Sequence, residues 1–465
     1  MEETKNIGRN LKSPPGGDLG GLQSLPLGEV GGAIEGLSII QIIPGSGGSF
    51  YCGNCLRDSK YVDSLKKMGH KVVKIPMYLP LFSDEHDLED IPVFYGAISI
   101  YLKQLYPIFR KAPAWVDKLL NSKPMMKLAA GMAGSTNAKG LEEMTVSMLL
   151  GEQGEQSADL DKMIDWIAEH CQPDVIHLSN ALLLGLAHRL KQRLNVPVVC
   201  SLQDEDVWVD VMKPSARDYV WKLMSEKAAD VDAFISVSNF FAGVAKERMN
   251  LKTEKLHTVH LGVDPADYPF SNAVDRKREI GYISRMNAEN GLEVLIDAFI
   301  LLKKEVRFND VHLHITGGST GEDAHFIKEQ KRKLEVSAIR SFAHFWEGFE
   351  GTHRKNFLQR VQLISVPVLN GEAFGIYLTE AMASGIPVVQ PALGAFPEII
   401  NKAGGGVIYE PNTPEALSKA WADLLDHPKK IEQLSIEARA SVEKHFDINI
   451  QAEKLVEIYE KMNRN

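Results

Sequence analysis

The chain has 465 residues, 44% hydrophobic and 24% charged, with a formal net charge of −9 and a pI near 5.9. That length exceeds one ordinary core and implies two or three domains, while the acidic balance argues against nucleic acid as the main partner and no apolar run reaches the ~18 residues of a membrane span. Four cysteines do not make a disulfide framework, and the opening MEETKNIGRNLKSPPGG has no apolar segment, so the expected setting is a reducing cytoplasm.

Residues 1–36, rich in glycine and proline without periodic apolar spacing, read as a disordered tail. LSIIQIIP (37–44) then reads as a strand buried on both faces. Within YCGNCLRD (51–58), Cys52 and Cys55 have C-x2-C spacing, but no second pair or histidine couple completes a zinc site. Redox regulation and the shaping of an acceptor loop are the other readings of the pair, and Arg57 and Asp58 of the same turn are expected to face a cleft. A helix is predicted over Asp58 to Met68, followed by strands in KVVKIPMYL, DVIHLS, VPVVCSLQ, AFISVS and LHTVHLGVD.

Residues 79–170 form an insertion. It opens with the acidic SDEHDLED and continues at 101–127 with basic residues interleaved with Tyr101, Tyr106, Phe109 and Trp115. That combination suits a helix lying on a membrane surface, which would place the protein at the inner face of the membrane. An acceptor-binding lid and a homodimer contact are the alternatives. The second half supplies EIGYIS, VHLHITGG, QLISVPVL, IPVVQPA and GVIYEP, with a helix predicted from Leu292 to Lys304. Strands alternating with helices mean parallel sheets covered on both faces. Eleven strands exceed one sheet with a single switch point, so two doubly wound α/β domains are expected, joined near Pro265 to Ala273. Ligands would then bind at the carboxyl ends of strands, in the cleft between the domains.

The chemistry concentrates in NGEAFGIYLTEAMASG, a loop after QLISVPVL leading into a short helix. Gly375 permits close approach of a ligand, and the first helical amides offer donors and a positive dipole end to an anion such as a pyrophosphate. Glu380, one turn in, is placed to hold vicinal hydroxyls such as those of a ribose, and Glu372, before the helix, to reach the group beyond the phosphates. The plain alternative makes Glu380 a helix acid favoured by the dipole and Glu372 a solvated loop residue. His177, His312 and His314 fall in strand patterns and read as structural, whereas His260, after a strand, is a weaker candidate for the acceptor side.

The stretch from Glu372 to Glu380 resembles the E-x7-E signature of retaining glycosyltransferases of the GT-B fold, in family 4. IGYISRMNAENGLEVLIDAF (280–299), FISVSNFF, LHTVHLGVD, DVIHLS, PGSGGSF (44–50) and the terminal HFDINIQAEKLVEIYEKM resemble further parts of that family. The resemblance implies two Rossmann-like domains facing across a cleft: an acceptor domain over 37–268, a donor domain over 269–442, and a helix over 443–465 returning to the first. It implies transfer of a sugar from a nucleoside-diphosphate sugar to a hydroxyl of a saccharide, lipid-linked or small-molecule acceptor, with retention, no cofactor and no metal.

By residue, the resemblance makes Glu372 the ligand of the donor sugar's hydroxyls, Glu380 the ribose carboxylate and Arg285 the cation that binds the pyrophosphate and stabilises the departing nucleotide. Phe374, Gly375 and Ile376 line the donor site, and Gly47 and Gly48 close on the phosphates or the acceptor, unless they serve only a tight strand-to-helix turn. Two positions depart from the family. Asn290 stands where a second phosphate-binding lysine is usual, and Gln203 where many members carry a histidine. Asp204 is the acid expected to stand in as base or acceptor ligand. These departures keep open a sugar-nucleotide-binding protein without turnover, and an epimerase or phosphorylase on the same fold is the other alternative.

Overall fold

The computed structural model describes residues 36–44, 53–77, 141–349 and 351–464. The tail, Gly47, Gly48, Cys52, the side chain of Cys55 and the 101–127 segment lie outside the described residues, and with them most of the predicted insertion.

Two parallel six-stranded sheets carry the fold. The first contains β1 (Ser38–Ile43), β2 (Lys71–Pro76), β3 (Val175–Leu178), β4 (Val198–Leu202), β5 (Ala233–Ser236) and β6 (Leu256–Thr258), in the order β2-β1-β3-β4-β5-β6. The second contains β7 (Glu279–Ile283), β8 (His312–Thr316), β9 (Ala343–Phe345), β10 (Leu363–Ile364), β11 (Val388–Pro391) and β12 (Gly406–Tyr409), in the order β12-β11-β10-β7-β8-β9. Each sheet reverses direction once, between β1 and β3 in the first and between β7 and β10 in the second. The crevice at the carboxyl ends of those strands is where a doubly wound sheet receives ligands.

The strands are continuous Ile, Val and Leu runs because both faces are covered. All of β3, β4, β5 and β7 is buried. Eleven of the twelve strands coincide with the runs read from sequence. The twelfth, β9, is a three-residue edge strand whose His344 breaks the apolar pattern. QLISVPVL forms only the two-residue β10. Pro367 has no N–H to give to a ladder, and the amide of Val366 donates instead to Gln390 Oε1 at 2.9 Å.

The predicted helices are present as Gly53–Lys67 and Leu292–Leu302. The terminal helix Ile448–Asn463 returns to the first sheet. Its Tyr459 hydroxyl lies 2.6 Å from His177 Nδ1, and Ser64 Oγ lies 2.9 Å from Asn449 Oδ1. His177 also meets Ser201 Oγ at 2.8 Å, and His314 accepts from Trp346 Nε1 at 3.1 Å. These histidines are structural, as expected. Among the described residues, no helix is long and apolar enough to cross a membrane.

Candidate active site

The second sheet's switch point is built by two segments, the turn after β7 and the loop between β10 and the helix Ile376–Ala383. That helix is buried along its whole length. Its N-cap is Gly375, with φ 84° and no side-chain cap; the Leu378 amide bonds the Gly375 carbonyl at 2.9 Å, which leaves the Ile376 and Tyr377 amides as the donors a ligand would meet. A side chain at 375 would also press on Glu372 Oε2, 3.1 Å from an added Cβ. The glycine thus both turns the chain and leaves space for the carboxylate.

Glu372 is half-buried at this mouth. Burial raises its pKa from the ordinary 4.5 to about 8; the charge of Asp204 adds to the rise, and a hydrogen bond with Tyr377 opposes it. Asp204 comes from the first domain, at the end of β4. It has left-handed backbone, φ 60° and ψ 26°, and its Oδ1 accepts from the Ala373 amide at 3.1 Å. Burial, and then the charge of Asp206, lift its pKa to about 6 against hydrogen bonds from Ala373 and Gln203. The structure therefore brings Glu372 and Asp204 together across the domain seam, as two carboxylates that resist ionising at once.

Arg285 follows β7. Its Nε donates to Asp323 Oδ2 at 2.9 Å, and Nη2 to Asp323 Oδ1 at 3.1 Å and to Thr320 Oγ1 at 2.9 Å. Burial alone would raise the Asp323 carboxyl, but hydrogen bonds from Arg285 and Thr320 hold it below the usual carboxylate range. This fork orients the guanidinium while leaving its side chain 22% exposed. Thr320 and Asp323 form a capping box, and that T-x-x-D spacing was a legible signal for the pair.

Glu380 is 2% exposed. The Tyr268 hydroxyl donates to its Oε1 at 2.6 Å, and Arg354 Nη1 lies 3.5 Å away. Neither partner has a local sequence signal, because both meet Glu380 only through the tertiary fold. Asn290 turns inward, where its amide donates to Ser284 Oγ at 2.9 Å and to the Arg285 carbonyl at 3.2 Å, bracing the turn that carries Arg285. The Phe374 ring is fully buried against His260 and Phe446, and Ile376 is buried as well.

Sequence reasoning missed the clasp that joins the domains beside the carboxylates. Ser238 caps the helix Asn239–Met249 by accepting from the Phe241 amide, and donates its hydroxyl to the Ala373 carbonyl at 2.6 Å. Glu398 of the second domain accepts from the Asn239 and Phe240 amides at 3.0 Å each and lies 2.8 Å from His260 Nε2. His260 is thus a seam residue. Among the described residues, no group of three or more His, Cys, Asp or Glu side chains forms a metal cluster.

Two family models match the chain, "Glycosyl transferases group 1" over residues 265–441 and "Glycosyltransferase Family 4" over 150–267. Together they span more than half of it. A glycogen synthase of Mycobacterium tuberculosis is 25% identical over 296 residues, 62% of this chain and 69% of the relative. An MMP alpha-(1->4)-mannosyltransferase of Mycolicibacterium hassiacum is 26% identical over 302 residues, 62% and 70% of the two chains. Among solved structures, Anabaena Alr3699/HepE in complex with UDP superimposes with a TM-score of 0.64 at 15% identity, covering 91% of this chain and 100% of that one. Sucrose-phosphate synthase from Thermosynechococcus elongatus gives 0.65 at 18% identity, covering 92% and 99%. At those identities the structures speak for the fold, which is GT-B.

Proposed function

The chain belongs to the glycosyltransferases of family 4, and from that premise we propose that it moves a sugar from a nucleoside-diphosphate sugar to an acceptor hydroxyl with retention of anomeric configuration. The observation that carries this reading is the carboxylate pair Glu372–Asp204 at the mouth of an uncapped helix, with Arg285 after the neighbouring strand of the same switch point.

The geometry supports an assignment of roles. The helix amides and Arg285 receive the pyrophosphate. As the bond from the anomeric carbon to the phosphate oxygen breaks, negative charge grows on that oxygen, and the fixed guanidinium and amides stabilise it without reorganising. This is work that a divalent cation does in other sites, so we assign the enzyme no metal. Glu372, protonated near neutral pH, holds a hydroxyl of the donor sugar. Asp204, ionised at the same pH and standing on the other domain, orients the acceptor hydroxyl on the face from which the leaving group departs. Glu380, kept in place by Tyr268 and Arg354, fixes the helix and the ribose end. Residues 37–268 would form the acceptor domain and 269–442 the donor domain, with 443–465 tying them together.

The test is a thermal-shift panel of UDP-, GDP-, ADP- and dTDP-glucose on wild type and Arg285→Ala, with and without EDTA. Proton NMR of the product anomer follows for whichever donor turns over. Ligand at about 100 times Kd adds roughly 2.7 kcal/mol of stability. We expect one nucleotide class to give that shift, Arg285→Ala to lose it, and EDTA to leave it unchanged. An inverted product would overturn retention, and loss of turnover in EDTA would overturn metal independence. The inward-turned Asn290, which brings no second cation, motivates one rival: a protein that binds donor without turning it over. A shift in the panel with no product from any acceptor would favour that reading.

A further inference from the structure

Ser238 follows β5 and is fully buried. Its hydroxyl serves two partners at once. It accepts from the Phe241 amide at 3.0 Å, capping the helix Asn239–Met249, and donates to the Ala373 carbonyl of the second domain at 2.6 Å. The Ala373 amide is held as well, donating at 3.1 Å to Asp204 Oδ1 at the end of the neighbouring strand β4. Both backbone polar groups of Ala373, itself only 2% exposed, are thus satisfied by side chains of the other domain. Aspartate would cap the helix equally well but has no proton for a carbonyl. What a hydroxyl at 238 adds to the cap is the contact across the seam.

Glu372 stands where the hold on the loop passes from one domain to the other. Its own carbonyl accepts from the Ala395 amide at 3.0 Å, within the second domain. The preceding Gly371 packs so closely on that same segment that an added Cβ would lie 2.5 Å from the Gly394 nitrogen. The following residue, Ala373, is in the grip of the first domain. Separating the domains breaks both bonds to Ala373 and leaves those on the other side of Glu372 intact, so the backbone that aims the carboxyl is then fixed at one end only.

We propose that Ser238 is a positioning residue for Glu372: its hydrogen bond to the Ala373 carbonyl makes the aim of that carboxyl conditional on domain closure, so that the contact to the donor sugar is complete only in the closed molecule. This rests on the assignment of Glu372 to the donor sugar under the function proposed above, and adds the part that assembles it. The nucleotide end, given to Arg285 and the amides of Ile376 and Tyr377, lies within the second domain and needs no such latch.

The experiment compares wild type, Ser238→Gly and Ser238→Thr. Glycine caps a helix with little loss but has no hydroxyl, and threonine keeps both cap and donor. Amide hydrogen exchange of the free full-length chain is read first. Ser238→Gly should speed exchange over residues 371–374 about 5- to 10-fold, and threonine should restore the wild-type rate. Unchanged exchange there, or faster exchange confined to residues 239–249, would reduce Ser238 to a helix cap and overturn the proposal. Calorimetry then gives Kd for a nucleoside diphosphate and for its glucose conjugate, using the nucleotide among UDP, GDP, ADP and dTDP that shifts wild type in the thermal panel. Ser238→Gly should leave the diphosphate Kd within about twofold and weaken the glucose conjugate about 10-fold. An equal loss for both would mark a merely structural role and sink the positioning claim. If no nucleotide binds wild type while exchange still responds, the latch stands and the donor assignment falls. If the donor binds and exchange does not respond, the donor assignment stands and the latch falls.

Discussion

Replacing Glu372 by glutamine keeps the shape of the side chain and removes its charge, which makes it a direct measure of what the site stores. In the folded protein the Glu372 carboxyl is pushed up to about 8 from the ordinary 4.5. Between those values the folded state binds more protons than the unfolded chain, so stability falls as pH rises. Taken whole, the shift corresponds to a penalty of about 4 kcal/mol at pH 8. The residue is half-buried and its partner Asp204 can adjust, so the gain expected from Glu372→Gln is roughly 2 kcal/mol, or about 2 °C in Tm for a chain of 465 residues. The assay is thermal unfolding at pH 5 and pH 8, paired with donor turnover. The gain should be present at pH 8, shrink toward pH 5, and coincide with loss of turnover by several orders of magnitude. An unchanged or lower Tm at pH 8, or a gain equal at both pH values, would show that the carboxylate is not held against its own ionisation.

Three further outcomes follow from the same physics. Glu398→Ala removes an acceptor shared by the Asn239 and Phe240 amides and His260. It should lower stability by about 1–3 kcal/mol and increase the radius of gyration in small-angle scattering, whereas an unchanged radius would mean the clasp does not hold the domains. Asp323→Asn breaks the fork on Arg285 and should weaken nucleotide binding about 10-fold by calorimetry; unchanged affinity would show that Arg285 needs no orienting partner. Burial and the neighbouring His344, Arg360 and His312 lower His314 to about 3 from 6.5, so the unfolded chain protonates first and stability is lost as pH falls below about 6.5. His314→Gln should make the acid limb of stability shallower between about pH 6 and pH 4, and an identical slope would reject the assignment.

Both sheets were legible because parallel strands covered on two faces must be continuous apolar runs, and runs such as LSIIQIIP and VPVVCSLQ admit little else. What escaped was set by contacts without sequence locality. β9 is short and carries His344, so it has no run to recognise. β10 is cut to two residues by Pro367 and a side-chain acceptor from Gln390, 24 positions away. At the site, Glu372 and Glu380 could be picked out because a loop and a helix turn are local features, whereas Arg285 was marked by the resemblance of its stretch to the family. Tyr268, Arg354, Ser238 and Glu398 are polar residues of ordinary surroundings in the sequence; the first two acquire their roles only through the tertiary fold, and Ser238 and Glu398 only when the two domains meet.

The two glutamates of the signature are eight residues apart and meet opposite electrostatic treatment. Glu380 is the more deeply buried, yet a tyrosine hydroxyl and an arginine serve its charge, which is how a buried carboxylate is made tolerable. Glu372 is the more open, yet the charge that acts on it is that of another carboxylate, Asp204. A chain selected only for stability would have given the partner cation to Glu372 or replaced it with a neutral residue. Keeping an uncompensated acid beside Asp204, on a loop pinned by the Ala373 amide and carbonyl, makes sense if the missing partners arrive with the substrate. Sugar hydroxyls can donate to the ionised carboxylate and accept from the protonated one. On that argument Glu372 is the residue through which ligand binding and domain closure are felt together, and Glu380 is the fixed point against which it is set.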